Sequence, residues 1–491
     1  MIHTLISKLK YPYSFTSFLL GTCLLLTSCQ SVGQEQADVP PVPVDPSTTF
    51  TLIFGGDIMG HSPQIKAAYD NSKKAYDYEP CFEYVKPLLE SADLAFGNLE
   101  LTLPGKPPYS GYPQFRSPDN LAYALRESGF DVMVTANNHS NDAGKNALIH
   151  TIDTLQNLGF YQTGTFRNQA DRDAFYPMIL FSGDLKIALL NYTYGTNGLP
   201  DKAPTIVNRI DTVQMRVDMK MARELKPELI IVITHWGPEY KLIETPEQRV
   251  VADKLFEYGA DLIVGMHPHV IQPTKLQVLD SNIARLDTGL VAYSLGNFIS
   301  NQRKYNTDGG IMLEIDIERH NKTGAVDMTG FRHILHWRYI ERDGDDITYR
   351  VLPISAAEKD TTNQLAMPAE SRKAMNDFAK RMRKHLADYE VPEKDIPLEV
   401  LFPGTPGPVD NLTLPESTGM IYRVQWQALS SKQNLSPPID TPLVIQKEGE
   451  LFKYFLGETS NLAEAEKTLA EVREAGYPGA FIAKYKNGIR Q

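Results

Sequence analysis

Residues able to bind a metal ion follow several short apolar runs of this 491-residue chain. They are one Asp, one Glu, one Asn and three His, namely Asp57, Glu100, Asn138, His235, His267 and His269. Mixed oxygen and nitrogen donors suit Mn, Fe or Zn, whereas all-oxygen Mg or Ca sites have no need of imidazoles. Two such ions held about 3.5–4 Å apart can clamp a phosphoryl oxygen, and a carboxylate such as Glu100 or Asp57 can bridge them. The pattern predicts a divalent transition-metal site, with two ions, suited to hydrolysis or transfer.

The apolar runs that precede these residues are typical of buried strands in an α/β sheet, because they are rich in Val, Ile and Leu without strict alternation. They cover residues 50–54, 94–96, 131–134, 187–190, 229–233, 261–264 and 291–293. Helical patterns such as 146–158 and 246–258 separate them. The carboxyl ends of such strands line the ligand crevice of an open sheet, so the donors are expected to converge there. Residues 310–317 and 329–340 alternate more, which favours antiparallel strands closing a second sheet.

Each donor has an ordinary structural alternative when it is taken alone. A lone His after a strand is more often a surface or hydrogen-bonded residue than a ligand, an Asn-Asn pair usually forms a turn, and Asp57 could cap a helix. Five strand ends with five donor clusters nevertheless favour the metal site. If the segment of His267 and His269 is extended, both rings face one side and reach the same site.

Several motifs follow one another in an order typical of a known family. They are Gly56-Asp57-Ile58-Met59, Asn98-Leu99-Glu100, Asn137-Asn138-His139, His235-Trp236-Gly237-Pro238-Glu239-Tyr240, Gly265-Met266-His267-Pro268-His269-Val270 and Ser294-Leu295-Gly296-Asn297-Phe298. Over residues 51–310 the chain resembles the CapA family of bacterial capsule synthesis proteins, which is linked to poly-γ-glutamate. That family is similar to the calcineurin-like metallophosphoesterases.

The resemblance implies an α/β fold with two sheets between helices, in an αββα arrangement. It also implies that Asp57, Glu100, Asn138, His235, His267 and His269 bind metal, while His139 assists the leaving group as a catalytic residue. The superfamily has a His where this chain has Met59, and His61 is at the wrong spacing, which favours a solvent-facing position for it. A single metal ion, or a binding role instead of catalysis, therefore remains an alternative. The other histidines match no motif and are interpreted as structural or surface residues: His150, His320, His333, His336 and His385.

The amino terminus is typical of a lipoprotein signal peptide at residues 1–28. Lys8 and Lys10 precede an apolar run at 18–26, and Leu26-Thr27-Ser28-Cys29 resembles a bacterial lipobox. A plain secretory peptide cut nearby is the alternative. Cleavage before Cys29 would place a lipid on that residue, followed by a flexible proline-rich tether at 29–49, and would leave Cys81 without a disulfide partner. The predicted location is the bacterial cell envelope, as a lipid-anchored protein of the outer membrane, periplasm or cell surface.

The carboxyl-terminal part follows the main domain, which is predicted at residues 50–355. A helical segment is predicted at 356–391 and a proline-rich linker at 392–419. Residues 420–491 resemble the SPOR domain, which binds peptidoglycan glycan strands, although Pro437 and Pro438 interrupt the place of its first helix. The strand aromatics could stack on sugars or, equally, form core: Tyr422, Trp426, Phe452 and Tyr454.

The net charge of −11 argues against nucleic acid as a partner. We therefore expect an envelope protein whose partners are an anionic envelope polymer or its precursor, peptidoglycan glycan strands, and the membrane through the lipid anchor only. Its predicted activity is metal-dependent hydrolysis or transfer, on a phosphoester or a γ-glutamyl amide, in the synthesis or attachment of a capsule-type polymer. The alternatives are a non-catalytic factor that binds metal or polymer, and a scaffold that acts through residues 420–491.

Overall fold

The structure of the chain is a computed structural model that describes residues 46–389, 391–402, 420–429, 443–448, 451–459, 462–474, 481–486 and 489–490. The predicted signal peptide, Cys29 and most of the predicted tether lie outside the described residues. So do Pro437, Pro438 and residues 403–419 of the predicted linker.

The strands of the main domain are listed in chain order. They are β1 (Ser47–Ile58), β2 (Tyr69–Asp70), β3 (Ala75–Tyr76), β4 (Leu94–Leu99), β5 (Val132–Val134), β6 (Tyr161–Thr163), β7 (Thr165–Phe166), β8 (Met178–Ser182), β9 (Leu185–Thr193), β10 (Ile206–Val207), β11 (Leu229–His235), β12 (Leu262–Met266), β13 (Thr274–Val278), β14 (Thr288–Ala292), β15 (Asn297–Ile299), β16 (Gly309–His320), β17 (Val326–Asp343) and β18 (Asp346–Pro353).

The helices of the main domain lie between these strands and after them. They are α1 (Ser62–Ala67), α2 (Lys86–Glu90), α3 (Asn120–Glu127), α4 (Gly144–Asn157), α5 (Gln169–Phe175), α6 (Thr212–Glu224), α7 (Pro246–Glu257), α8 (Ile354–Glu358) and α9 (Ala369–Leu386), with short 3-10 turns at Glu79–Cys81 and Leu398–Leu401.

Two mixed sheets make up the body of this domain. The first has the order β18-β17-β16-β1-β4-β5-β6, with β15 also paired to β1, and the second has the order β13-β14-β12-β11-β9-β8. Strands β1, β4, β5 and β6 are parallel, as are β9, β11, β12 and β14. Strands β16 and β17 are antiparallel as predicted, but they extend the sheet of β1 and do not close a separate sheet.

Side-chain alternation explains how the two sheets pack. On β11, Ile231 and Ile233 belong to the core shared with the first sheet. Ile230 and Val232 point the other way, into a second cluster with residues of α6 and α7. On the first sheet, α9 packs against β17. The main domain therefore has the predicted layers of helix, sheet, sheet and helix.

The segment after β18 contains two helices where one helical stretch was expected. Pro368 caps the start of α9, and residues 359–368 between α8 and α9 are not helical. Met375, Phe378 and Met382 of α9 are buried in the core of the main domain, so α9 is part of this domain's packing.

The carboxyl-terminal strands form an antiparallel sheet of their own, with the order β20-β21-β19-β22-β23. The elements are β19 (Met420–Leu429), β20 (Leu443–Glu448), β21 (Leu451–Thr459), α10 (Leu462–Glu474), β22 (Phe481–Lys486) and β23 (Ile489–Arg490). Tyr454 is fully buried, so it is a core residue and not part of an exposed sugar-stacking face. The side chains of Tyr422, Trp426 and Phe452 lie outside what the structure describes.

Two further features bear on the sequence predictions. Within the described residues, no helix has both the length and the apolar character that crossing a membrane requires. Cys81 is a free, buried thiol, and burial raises its pKa to about 12, so it is an unreactive core residue.

Candidate metal centre

The first sheet places three polar residues side by side at the carboxyl ends of its strands. Asp57 near the end of β1 is in register with Asn98 on β4 and with Asn297 on β15. Asn98 Nδ2 donates to Asp57 Oδ1 at 2.8 Å. Gly56 permits this close packing, because a Cβ there would lie 2.1 Å from the carbonyl oxygen of Gly296.

The second sheet contributes three imidazoles from the ends of its parallel strands. His235 is the last residue of β11, and His267 and His269 follow β12. The prediction that the latter two lie in an extended segment is wrong, since their φ angles are +97° and +58°. Such left-handed backbone is strained for residues other than glycine and clusters at functional sites. Both rings nevertheless reach the site, because this turn aims them at Asp57 and Glu100.

Hydrogen bonds to Asp57 orient the turn and one of its rings. The backbone amide of His267 and Nδ1 of His269 both donate to Asp57 Oδ2, at 3.1 Å each. With Nδ1 held in this way, Nε2 of His269 points to Glu100 and is free to bind a metal. This is the outer-shell orientation that metal-binding histidines require.

Glu100 lies at the centre of the cluster. Its Oε1 is 3.5 Å from Nε2 of His235 and 3.7 Å from Nε2 of His269. Two groups of donor atoms, each within 4.8 Å of one another, share this carboxylate: Glu100, His267 and His269 form one, and Asp57, Glu100 and His235 form the other. Glu100 is thus the carboxylate that both groups have in common, and it would be a ligand of any ion held by either group.

The environment of these donors fits a cation. Both carboxylate oxygens of Glu100 and Nδ1 of His267 are buried without a hydrogen-bond partner, which is costly unless a metal binds them. Burial, with the charge of Asp57 second, raises the pKa of Glu100 well above its usual value. Burial also lowers the pKa of His235 and of His267, which keeps both imidazoles in the neutral form that binds metal.

Asn138 and His139 lie in the loop between β5 and α4, next to this cluster. Asn138 Oδ1 is 3.0 Å from Nε2 of His235, as a shared metal ligand would be. The structure thus brings together every residue predicted to bind metal. His139 belongs to neither group of clustered donors, in line with its predicted role beside the metal.

Asp142 holds the ring of His139. Nδ1 of His139 donates to Asp142 Oδ2 at 2.6 Å, and the backbone amide of Phe115 donates to the same oxygen at 2.6 Å. The ring of Phe115 packs edge-on against His139, with 4.6 Å between centroids. His139 is therefore fixed in one tautomer, with Nε2 as its acting atom.

Tyr194 covers the solvent side of the site. Its ring is 4.6 Å from that of His267 between centroids. Tyr194 is 47% exposed, whereas the predicted ligands are at most 3% exposed. A substrate that approaches from this side therefore meets Tyr194 first.

The unmatched histidines lie apart from the ligand cluster. The prediction that His61 faces solvent is wrong: it caps α1, accepts from the amide of Asn301 at 3.2 Å, and burial lowers its pKa to about 4. His333 and His336 are buried, and His385 is half-buried. His150 and His320 pair with Asp119 and Asp327, at 2.8 Å each. Met59 is buried and apolar, so it supplies no ligand.

Four residues of the site had not been assigned roles from the sequence: Asn98, Asn297, Asp142 and Tyr194. The two asparagines stand inside motifs quoted above, and Asp142 follows His139 by three residues, a spacing that could have indicated a His–Asp pair. Tyr194 carries no such signal, because its place depends on how its loop folds over the second sheet.

The fold and site define a mixed α/β protein with a buried cluster of residues at the strand ends that could hold a metal ion. The family model described as bacterial capsule synthesis protein PGA_cap matches residues 51–302. The chain therefore belongs to this family of bacterial capsule synthesis proteins.

Two curated relatives are similar over most of their length. The capsule biosynthesis protein CapA of Bacillus anthracis is 27% identical over 335 residues, which are 66% of this chain and 76% of that protein. The PGA biosynthesis protein CapA of Bacillus subtilis is 25% identical over 301 residues, which are 60% of this chain and 74% of that protein.

Solved structures with some likeness include two enzymes. A phosphatase from Mycoplasma pneumoniae is 15% identical with a TM-score of 0.36, over 59% of this chain and 95% of that one. The NAD nucleotidase of Haemophilus influenzae is 11% identical with a TM-score of 0.38, over 72% of this chain and 66% of that one. Because these TM-scores are low, the fold described above rests on its own strand order and packing.

Proposed function

We propose that this protein is a metal-dependent hydrolase or transferase of the bacterial cell envelope, acting in the synthesis or attachment of a capsule or poly-γ-glutamate-type polymer. The bond it acts on is a phosphoester or a γ-glutamyl amide. The observation that carries the proposal is the buried convergence of Asp57, Glu100, His235, His267 and His269, in which both oxygens of Glu100 lack a hydrogen-bond partner.

The residues divide into those that hold metal and those that act on the substrate. Asp57, Glu100, Asn138, His235, His267 and His269 would hold one or two ions of Mn, Fe or Zn. When bound, such ions supply Lewis-acid chemistry, polarising the bond under attack and lowering the pKa of the attacking water. His139 lies beside them with Nδ1 held by Asp142, and its Nε2 stabilises or protonates the leaving group.

Anchoring in the envelope is part of the proposal. A lipid on Cys29 would hold the protein to the membrane through the tether at residues 29–49. The SPOR-like unit at 420–491 would bind peptidoglycan glycan strands. The substrate would be an anionic polymer or its precursor, and the metal ions would supply the positive field that a chain of net charge −11 otherwise lacks.

Metal content of the purified chain tests the site directly. We expect one to two equivalents of Mn, Fe or Zn by elemental analysis, largely lost in the His267→Ala/His269→Ala double variant. The matched control is His150→Ala/His320→Ala, which removes two half-exposed histidines outside the cluster and should keep the metal. Metal-loaded protein is then assayed on phosphoesters and γ-glutamyl amides. Absence of bound metal, before and after soaking, would rule out the metal-dependent activity.

The alternative is a non-catalytic role in binding polymer. Met59 favours it, because this buried apolar side chain stands where the superfamily has a metal-binding His, so one metal ligand is missing. The His139→Ala variant separates the two functions. If this variant takes up metal and supports polymer attachment as well as the wild type, the protein is a binding factor. Deletion of residues 420–491 tests the scaffold alternative, which predicts that localisation and function are lost together.

A further inference from the structure

Helix α6 has a second apolar face that nothing in the described structure covers. Met215, Met219 and Ala222 pack against the second sheet. Four other apolar residues, spaced four apart, form an exposed stripe along the helix: Val213, Val217, Met221 and Leu225, which are 74%, 48%, 37% and 42% exposed. A surface helix normally has a single apolar face. This second row of apolar residues, the α6 stripe, is therefore expected to contact another surface.

The charges beside the α6 stripe are mostly positive. Arg216, Lys220 and Lys226 are exposed there, and Lys220 has a loose partner in Glu224 at 3.7 Å. The whole chain, in contrast, has a net charge of −11. An apolar row flanked by cations is the pattern of helices that lie on anionic lipid surfaces. The neighbouring helix α7 exposes three acidic residues, Glu247, Asp253 and Glu257, against one basic residue, Arg249, so its surface is less suited to such a contact than that of α6.

The amino-terminal segment leaves the domain beside one end of the α6 stripe. The carbonyl oxygen of Pro46 accepts from the amide of Asn321 at 2.9 Å. Two residues before Asn321, Arg319 pairs with Glu228 at 2.8 Å. Glu228 follows Leu225, the last residue of the stripe, by only three positions. Residues 29–45 can span about 60 Å at most when extended, so a membrane that holds Cys29 lies within reach of the stripe.

We infer that the α6 stripe and its flanking cations dock on the anionic lipid surface to which the amino terminus is anchored. The inference goes beyond the proposed activity and rests on the anchoring part of that proposal. The lipid anchor supplies most of the membrane affinity, and the stripe fixes which side of the domain faces the bilayer. A stable orientation of this kind needs two contacts with the membrane, of which the tether is one.

Chemical accessibility of single cysteines tests the contact in the full lipidated chain. Val217→Cys lies on the stripe, and Val250→Cys on α7 is the matched control, since these valines are 48% and 53% exposed. Both proteins are reconstituted in vesicles of phosphatidylglycerol and phosphatidylcholine and treated with a water-soluble maleimide. We expect labelling at 217 to slow about tenfold relative to detergent-solubilised protein, because the side chain lies in the lipid interface. Labelling at 250 should change less than about twofold, and high salt should partly restore labelling at 217.

Three results would overturn the inference. Equal labelling rates at 217 with and without vesicles would show that the stripe stays in water although the chain is anchored. Slow labelling at 217 already in detergent would show that a protein, such as a second copy, covers it. If the full chain does not float with the vesicles, both the lipid anchor and the membrane contact of the α6 stripe are excluded. The metal-dependent activity is tested separately, by the metal and substrate assays.

Discussion

Asp142 Oδ2 lies 2.6 Å from Nδ1 of His139. Both side chains are buried, and the carboxylate also receives the backbone amide of Phe115. Because a carboxylate only accepts hydrogen bonds, Nδ1 of His139 keeps its proton, and Nε2 is the atom that can exchange a proton with the substrate. Asp142 is thus a positioning residue for the proposed leaving-group chemistry.

We predict that Asp142→Asn lowers turnover without removing metal. The amide cannot fix the same tautomer as firmly, so turnover should fall about 10²-fold or more, within the range that acid–base groups contribute. Steady-state kinetics and elemental analysis on the same preparation check this. His139→Ala should cost at least as much, and the pH profile of Asp142→Asn should shift. Unchanged kinetics in both variants would exclude His139 from the chemistry.

Glu100→Gln should have opposite effects on metal binding and on the stability of the metal-free protein. The side chain loses its charge at nearly the same volume, so metal content should fall strongly. The metal-free protein should be more stable than the wild type, by about 1–3 kcal/mol, since no carboxylate remains buried beside Asp57. Urea unfolding in the presence of a chelator measures the difference. A less stable metal-free variant would contradict this account of Glu100.

The difference in stability between metal-free Glu100→Gln and the metal-free wild type should depend on pH in a definite direction. In the metal-free folded protein the pKa of Glu100 is raised well above its usual 4.5. Above pH 4.5 the unfolded chain loses this proton more readily than the folded one, so this group reduces stability increasingly as the pH rises through the folded pKa. His235 and His267, whose pKa values are lowered from 6.5, reduce stability below pH 6.5 in both proteins. The advantage of Glu100→Gln should therefore grow as the pH rises above about 4.5 and level off once the pH passes the raised pKa of folded Glu100, as unfolding curves at several pH values would show.

Gly56→Ala should damage the site through its backbone. The added Cβ would lie 2.1 Å from the carbonyl oxygen of Gly296, so β1 and β15 must separate next to Asp57. We expect a loss of about 1–3 kcal/mol in the free energy of unfolding, together with weaker metal binding. Gly195→Ala is the control, because a Cβ there meets nothing within 4 Å. Equal stability of the two variants would refute this steric account.

Tyr194→Ala should raise KM more than it lowers kcat. Tyr194 is an exposed aromatic residue next to the ring of His267, so we expect it to contact substrate equally before and during reaction, which is uniform binding. We expect about a tenfold increase in KM with metal content retained, and a smaller increase in Tyr194→Phe, which keeps the ring. Tyr123→Ala removes an equally exposed tyrosine, also 47% exposed, from α3 and should have no effect. An unchanged KM in Tyr194→Ala would show that substrate does not contact this residue.

Much of the fold was predictable because the apolar runs are locally distinct. The runs at 50–54 and 229–233 lie within β1 and β11, the run at 261–264 overlaps β12 in all but its first residue, and the helix predicted at 246–258 is α7 to within one residue. The convergence of the candidate metal-binding residues was predictable for the same reason, since each follows a recognisable strand. The sheet that β16 and β17 join was not predictable, because alternation indicates a half-buried strand but not its neighbour.

The parts that the sequence did not predict depend on contacts between distant segments. His61 packs against Phe115 and receives the amide of Asn301, residues far away in the chain. The left-handed backbone of His267 and His269 is held in part by Asp57, about two hundred residues earlier. Neither feature has a local signature, because each depends on partners that lie far away in the sequence.

Strand β1 has a mechanical consequence for a protein tied to a membrane. It begins beside Pro46, where the proposed tether joins, and continues for ten residues, about 33 Å, to Asp57. Eight residue pairs join it to β16 on one side, and β4 lies along the other. A pull on the tether acts along this strand, so the hydrogen bonds of both ladders share the load and must shear together. If the proposed anchor holds the protein while polymer or wall pulls on it, this arrangement would resist the force and would keep Asp57, near the far end of β1, in its place.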